Sequence, residues 1–224
     1  MSEVEPLPYG RIASLYDVTL TLSGFRCGLT RFLDRLSFDL PGRPCILDAG
    51  CGTGLLAYYL LRRLPRAEVV AFDVDRRMLA VMRRSARRRP ELAARLTIAE
   101  GDLGAPERLR RLDDGRTLAA PPAGYDAITV GAALEHVPLL ETLERLHGLL
   151  RPGGLLLVLG IRAGPPGAIL GQLYRFRPYR FPQLRDAMEK AGFGDIWVEA
   201  LGARDFPANL TRFAVLAWRR PPPG

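Results

Sequence analysis

The chain has 224 residues, 48% of them hydrophobic, which suits one domain with a sizeable core. No apolar run approaches the ~20 residues of a membrane span, and the acidic, proline-bearing start "MSEVEPLPYG" does not read as a signal peptide. The net charge of +8 would suit nucleic acid, an anionic substrate or a membrane surface. Lys190 is the only lysine among 32 basic residues, however, a skew that reads as codon bias and weakens any inference from charge.

In chain order, Gly10–Leu22 reads as one helix, and Leu29, Phe32, Leu33 and Leu36 mark a second, amphipathic one. Strand-like runs follow at Cys45–Ala49, Val69–Asp73, Leu96–Ala99, Tyr125–Val130 and Leu155–Gly160. Between them lie segments of helical period. Met78, Val81, Met82 and Ser85 share one face while arginines crowd the others; Leu139, Leu143, Leu146 and Leu150 form a second stripe, stopped by Pro152-Gly153-Gly154. This alternation predicts an open, mostly parallel α/β sheet with helices on both faces. Ile196–Leu201 and Phe213–Trp218 are joined by eleven residues, too few for a parallel crossover, so an antiparallel pair is expected at the end. Residues 118–124, "LAAPPAG", read as a surface loop. Cys27, Cys45 and Cys51 are odd in number and lack metal-ligand spacing. They read as small buried hydrophobes of a protein from a reducing cytoplasm, with no metal site.

The most informative stretch is "ILDAGCGTGLLA", residues 46–57. It follows a strand and opens a helix, where backbone N–H groups and the helix dipole face a ligand. Glycines there permit positive φ and a close approach of the backbone. The dinucleotide pattern G-x-G-x-x-G is not met, because its third position is Leu55 and the third glycine comes early, at Gly54. The lysine and hydroxyl of a phosphate-binding loop are also missing. The loop therefore suits a nucleotide-like ligand without a pyrophosphate.

With these residues the sequence resembles the class I S-adenosylmethionine-dependent methyltransferases, whose first motif is an acidic residue followed by x-G-x-G-x-G. The resemblance runs from about Cys27 to Arg219, and three further pieces fall in order: "VVAFDVDRRML", "IAEGD" and "LRPGGLLLVLG". It implies a Rossmann-like, doubly wound α/β fold with a mostly parallel seven-stranded sheet and an antiparallel last strand. A helical cover (residues 1–40) would precede the core (41–219) and a short tail (220–224) in a single domain. It also implies S-adenosylmethionine as cofactor and S-adenosylhomocysteine as product. Cofactor contacts would come from Asp48, Gly50, Cys51, Gly52 and Gly54. Asp73, followed by Val74, would grip the ribose hydroxyls, as an ionised carboxylate can. Asp102, followed by Leu103, would accept from the adenine amino group. Asp48 would orient the loop or face the methionine amino group, and Asp75 reads as the cap of the helix beginning at Arg76. Residues 103–124 are an insertion relative to the small members.

For the acceptor side, "GAALEHVP" places His136 after the fourth strand, at the edge where open α/β sheets bind ligands. It could serve as a general base or pack the loop; His147 reads as structural. The segment "RIASLYDVTLTLSGFRCG" resembles the cover of the ubiquinone and menaquinone methyltransferases, which would lay Tyr16 over the cofactor or in the core. "LYRFRPYRFP" (173–182) alternates aromatic residues with arginines and admits a lid, a membrane-surface contact or a packed connector, in that order of preference. The expected activity is methyl transfer to a small, aromatic or lipophilic acceptor in the cytoplasm, with a peripheral membrane contact left open. The rivals are an RNA or lipid-headgroup methyltransferase, nucleic acid being disfavoured for want of an amino-methylation motif, and a non-catalytic methyltransferase-like binding partner.

Overall fold

Strand β1 (Cys45–Ala49) is buried along nearly its whole length because it lies in the middle of the sheet, with a parallel neighbour on either side. In the computed structural model, residues 24–174 and 176–220 are described, without the side chains of Leu173 and Tyr174. From β1 the chain enters α2 (Leu55–Arg63) and returns as β2 (Glu68–Asp73). It continues through α3 (Arg76–Arg87) and the short α4 (Pro90–Ala93) to β3 (Leu96–Glu100). Helix α1 (Phe25–Arg35) precedes them. The chain then crosses to the other side of β1 with β6 (Tyr125–Gly131), α5 (Leu139–Leu149) and β7 (Leu150–Ile161). It finishes with α6 (Pro165–Tyr174), α7 (Phe181–Lys190), β8 (Phe193–Glu199) and β9 (Arg212–Arg219).

The gap after β3 holds two short strands, β4 (Leu109–Arg111) and β5 (Thr117–Leu118). The sheet order among the described residues is β5-β4-β3-β2-β1-β6-β7-β9-β8. Strands β1, β2, β3, β6 and β7 run parallel, and β9 is antiparallel to both β7 and β8, as the eleven-residue link requires. The sheet thus has the seven expected strands plus an antiparallel hairpin that covers the edge of β3. The reason for the hairpin is local: Asp113-Asp114-Gly115 makes the turn, with Gly115 at φ 69°. Leu109 buries against the bare backbone of Gly101, where a Cβ would overlap its side chain. An otherwise open edge strand is thereby closed.

The sheet is buried on both faces, so its strands read as continuous apolar runs. Along β7, Leu155, Leu157 and Leu159 face the core beneath α1, α2 and α3, while Leu156 and Val158 face that beneath α5 and α7. Each fully buried leucine contributes about 1.5–3 kcal/mol relative to exposure. Helix α3 turns Met78, Leu79, Met82 and Ala86 inward, with Val81 and Ser85 at the boundary, a face rotated by about one residue from the sequence reading. Asp75 caps α3, accepting from the Arg77 N–H at 2.8 Å.

Helix α1 is tied to the link before β9 through Gly28, where a Cβ would overlap the Asp205 carbonyl. Arg35 donates to the buried Asp205 carboxylate at 2.7 Å, which holds that carboxyl below its ordinary range. This close approach sets Phe25 and Leu29 beside the carboxyl edge of the sheet. Cys51 is buried as expected, but Cys27 is exposed and Cys45 half-buried. Cys27 lies on the outward side of α1. No helix among the described residues is long and apolar enough to cross a membrane.

Candidate active site

The parallel strands end together, and between β1 and β6 the connections leave in opposite directions, the switch point at which open α/β sheets bind ligands. A cavity of about 100 Å³ opens there. Gly50, Cys51, Gly52 and Thr53 line it from the loop after β1, with Gly131 at the end of β6 and Ala132 after it, Leu159 on β7, and Phe25, Leu29 and Arg212.

Asp48 forms the floor. It lies opposite Thr129 across the β1–β6 pair. One of its oxygens accepts the Thr129 hydroxyl at 2.8 Å and the other the Ala57 N–H at 3.0 Å, tying strand to helix. Burial pushes its carboxyl up to about 7, against those two hydrogen bonds, with Asp73 adding to the rise. The loop above is left-handed at Gly50 (φ 68°), Gly52 (φ 55°) and Gly54 (φ 90°), where side chains are strained. A Cβ at Gly50 would come within 2.6 Å of Ala133 and one at Gly54 within 2.8 Å of Met82, so these two are bare for packing. A Cβ at Gly52 would project into open space. The loop is therefore closed where it meets the protein and open where it meets the cavity, as a bound ligand requires.

Asp73, at the end of β2, clasps this loop. Its Oδ2 accepts the Gly52 N–H at 2.8 Å and its Oδ1 the Asp75 N–H at 2.9 Å. Burial raises its carboxyl, and those N–H donors counter the rise. These donors, with the Val74 N–H adding to them, leave part of the carboxylate's acceptor capacity for a ligand. Val74, beside it, is 68% exposed. Asp102 is exposed and accepts the Gly104 N–H at 2.8 Å, while Leu103 is buried and reaches toward Gly50. Cys51 is buried with its sulfur 3.7 Å from that of Met82, and burial pushes its thiol well up, which excludes a nucleophilic thiolate.

The structure thus brings Asp48, Gly50, Cys51 and Gly52 into one cavity wall and Asp73 into contact with it. Gly54 caps α2 outside the lining, and Tyr16 lies outside the described residues. His136 ends a single 3₁₀ turn (Leu134–His136) after β6 and presents its ring edge-on to Phe176, centroids 5.2 Å apart. Burial lowers its pKa, so the neutral imidazole dominates at pH 7. Its neighbour Glu135 accepts the Ile161 N–H at 2.8 Å through Oε1, while Oε2 is buried without a hydrogen-bond partner among the described residues. His147 packs on Phe193, a structural place.

The aromatic and arginine segment 173–182 differs from its first-ranked reading. Phe176 is buried on His136, and the Tyr179 hydroxyl reaches the Leu134 and Val137 carbonyls at 3.3 and 3.4 Å. Phe181 begins α7 against the core, so this half of the segment is a packed connector. Sequence reasoning also missed Thr129, Glu135, Phe25 and Arg212. Thr129 could have been found from its register with Asp48 and Glu135 from its place beside His136 in "GAALEHVP", but Phe25 and Arg212 carry no local motif.

Comparison with known proteins agrees with this geometry. A family model described as a methyltransferase domain matches residues 47–156. A demethylmenaquinone methyltransferase of Thermus thermophilus is 32% identical over 213 residues, covering 93% of this chain and 89% of the relative. An uncharacterized methyltransferase of Mycobacterium tuberculosis is 40% identical over 118 residues, 52% of this chain, and that match spans only 50% of the relative's length. Among solved structures, an O-methyltransferase family protein from Burkholderia thailandensis shares the fold at a TM-score of 0.69 and 15% identity, covering 95% of this chain and 61% of that one. On this fold, this glycine loop and these relatives, the chain belongs to the class I S-adenosylmethionine-dependent methyltransferases.

Proposed function

We propose that this chain transfers the methyl group of S-adenosylmethionine to a small aromatic or lipophilic acceptor. The observation that carries the reading is the clasp between Gly52 and Asp73: a loop opening onto a cavity, joined to a carboxylate with acceptor capacity to spare. The cofactor supplies an electrophilic methyl on a sulfonium, and the protein's part is placement.

In this reading Asp73 holds the ribose hydroxyls, Val74 and Leu103 take the two sides of the adenine, and Asp102 accepts from its amino group. Asp48, fixed by Thr129 and Ala57, sets the loop and offers a carboxyl to the methionine ammonium. The acceptor enters from the β6–β7–β9 side, where Phe25, Leu29 and Leu159 give apolar walls. His136, neutral at pH 7, takes the acceptor's proton where it has one to lose. The Thermus relative, by its name a demethylmenaquinone methyltransferase, supports an acceptor of this kind.

Calorimetry tests the cofactor site. Wild type is expected to bind S-adenosylhomocysteine and not NAD. Asp73→Ala is expected to weaken that binding by about 2–4 kcal/mol, the loss of two charge-assisted hydrogen bonds. An unchanged affinity would overturn the ribose assignment.

A further inference from the structure

Arg212 is the one cation lining the cavity among the described residues. It is only 9% exposed, yet no described carboxylate lies within 4.0 Å of its guanidinium. Its contacts are a stretched hydrogen bond to the Thr211 carbonyl at 3.3 Å and the face of Phe25, 5.1 Å from the ring centre. Among the described residues, the five N–H donors of its fixed fork are thus largely uncommitted in a place that water reaches poorly. Glu135 feels the charge of Arg212, but its Oε1 is turned to the N–H of Ile161, the cross-strand partner of Arg212, and the two side chains make no direct ion pair. A buried cation without an ion pair is costly to keep, and an anion brought by a ligand relieves that cost.

The position says which ligand. The residues placed for ribose and adenine sit at the ends of β2 and β3, on one side of β1. Arg212 starts β9, three strands away on the other side, about 14 Å along the sheet at ~4.8 Å per strand. A cofactor laid from β3 to β1 would leave the Arg212 end of the cavity to the acceptor. We propose that Arg212 receives an anionic oxygen group of the acceptor, so that the enzyme selects small aromatic or apolar acids. Phe25, Leu29 and Leu159 take the ring or chain, and the arginine fork takes the carboxylate or ionised hydroxyl. This rests on the methyltransferase reading above, and the test separates the two.

The probe pair is benzoate and its neutral counterpart benzamide, titrated calorimetrically into protein saturated with S-adenosylhomocysteine. Wild type is expected to prefer benzoate by about tenfold or more, the worth of a charge-assisted hydrogen bond. Arg212→Gln is expected to lose that preference while holding S-adenosylhomocysteine within about twofold of wild type. Arg212→Lys keeps the charge without the fork and is expected to fall between, so a misfolded glutamine variant does not spare the proposal. No preference in wild type, or a preference kept in Arg212→Gln, overturns it. A tenfold loss of S-adenosylhomocysteine affinity in Arg212→Gln also overturns it, because the anion is then the cofactor's own carboxylate. Failure of wild type to bind S-adenosylhomocysteine would instead sink the methyltransferase reading.

Discussion

The two halves of the carboxyl edge are built differently. On the β1–β2–β3 side nearly every polar group is fixed by a backbone partner: Asp48 by the Ala57 N–H (and by the Thr129 hydroxyl), Asp73 by Gly52 and Asp75, Asp102 by Gly104. On the β6–β7–β9 side the charged groups are held loosely. Among the described residues, Glu135 keeps one buried oxygen without a hydrogen-bond partner, and Arg212 rests on a ring and a single carbonyl. In the proposed reading the first half is a finished mould for the cofactor, since backbone N–H donors orient each carboxylate before anything binds. The second supplies charge and apolar wall without fixing their use, as expected where the partner varies between enzymes of one fold.

The sharpest way to break that division is at its border, with His136. If the imidazole takes the acceptor's proton, His136→Ala should slow turnover by roughly 10²–10⁴ with S-adenosylhomocysteine affinity retained. Burial lowers its pKa, so wild-type turnover should be flat near neutrality and fall only at pH below 6.5, as the ring gains its proton. Near-normal turnover with a reduced melting temperature would leave His136 as a packing partner of Phe176.

The cofactor half can be broken through its glycines. Gly50→Ala meets both a left-handed backbone and the Ala133 methyl, and should cost about 1–3 kcal/mol of stability. Gly52→Ala meets only the first of these, so its melting temperature should fall less while its cofactor affinity falls more. Thermal denaturation beside calorimetry separates the two. If both variants lose stability and affinity in the same proportion, the division of the loop into packed and open faces is wrong.

This contrast also explains what could be read in advance. The glycine loop, Asp73 and Asp102 are local, each lying within a few residues of a strand end whose apolar run announces it. The core strands were legible for the same reason. Arg212 and Phe25 are separated by 186 intervening residues and meet only because α1 docks on the link before β9 through Gly28. No pattern within a window of the sequence carries that contact. Hairpin β4–β5 hid for another reason: three and two residues are too few for period-2 alternation, and two of the five are arginine. The Asp-Asp-Gly turn was its one signal. The packing of Phe176 and Phe181 could not be read in advance because aromatic residues alternating with arginines look the same whether the rings face a ligand or the core.

The smallest expected effect sharpens the cofactor half further. Asp48, pushed up to about 7 by burial, is near half protonated at neutral pH before ligand arrives. A carboxyl raised in the folded state favours folding when protonated. The Asp48 contribution to stability is therefore greatest below about pH 4, declines between about pH 4 and 7 as the group is forced to ionise, and changes little beyond. A ligand ammonium beside it reverses the balance and favours the carboxylate. Binding of S-adenosylhomocysteine at pH 7 should then release a fraction of a proton, measurable as a dependence of the calorimetric enthalpy on the buffer's ionisation enthalpy. Asp48→Asn should abolish that dependence, because no titrating group remains on the cavity floor. Proton release undiminished in Asp48→Asn would move the linkage to Asp73, whose carboxyl burial also raises, and would leave Asp48 to the loop alone.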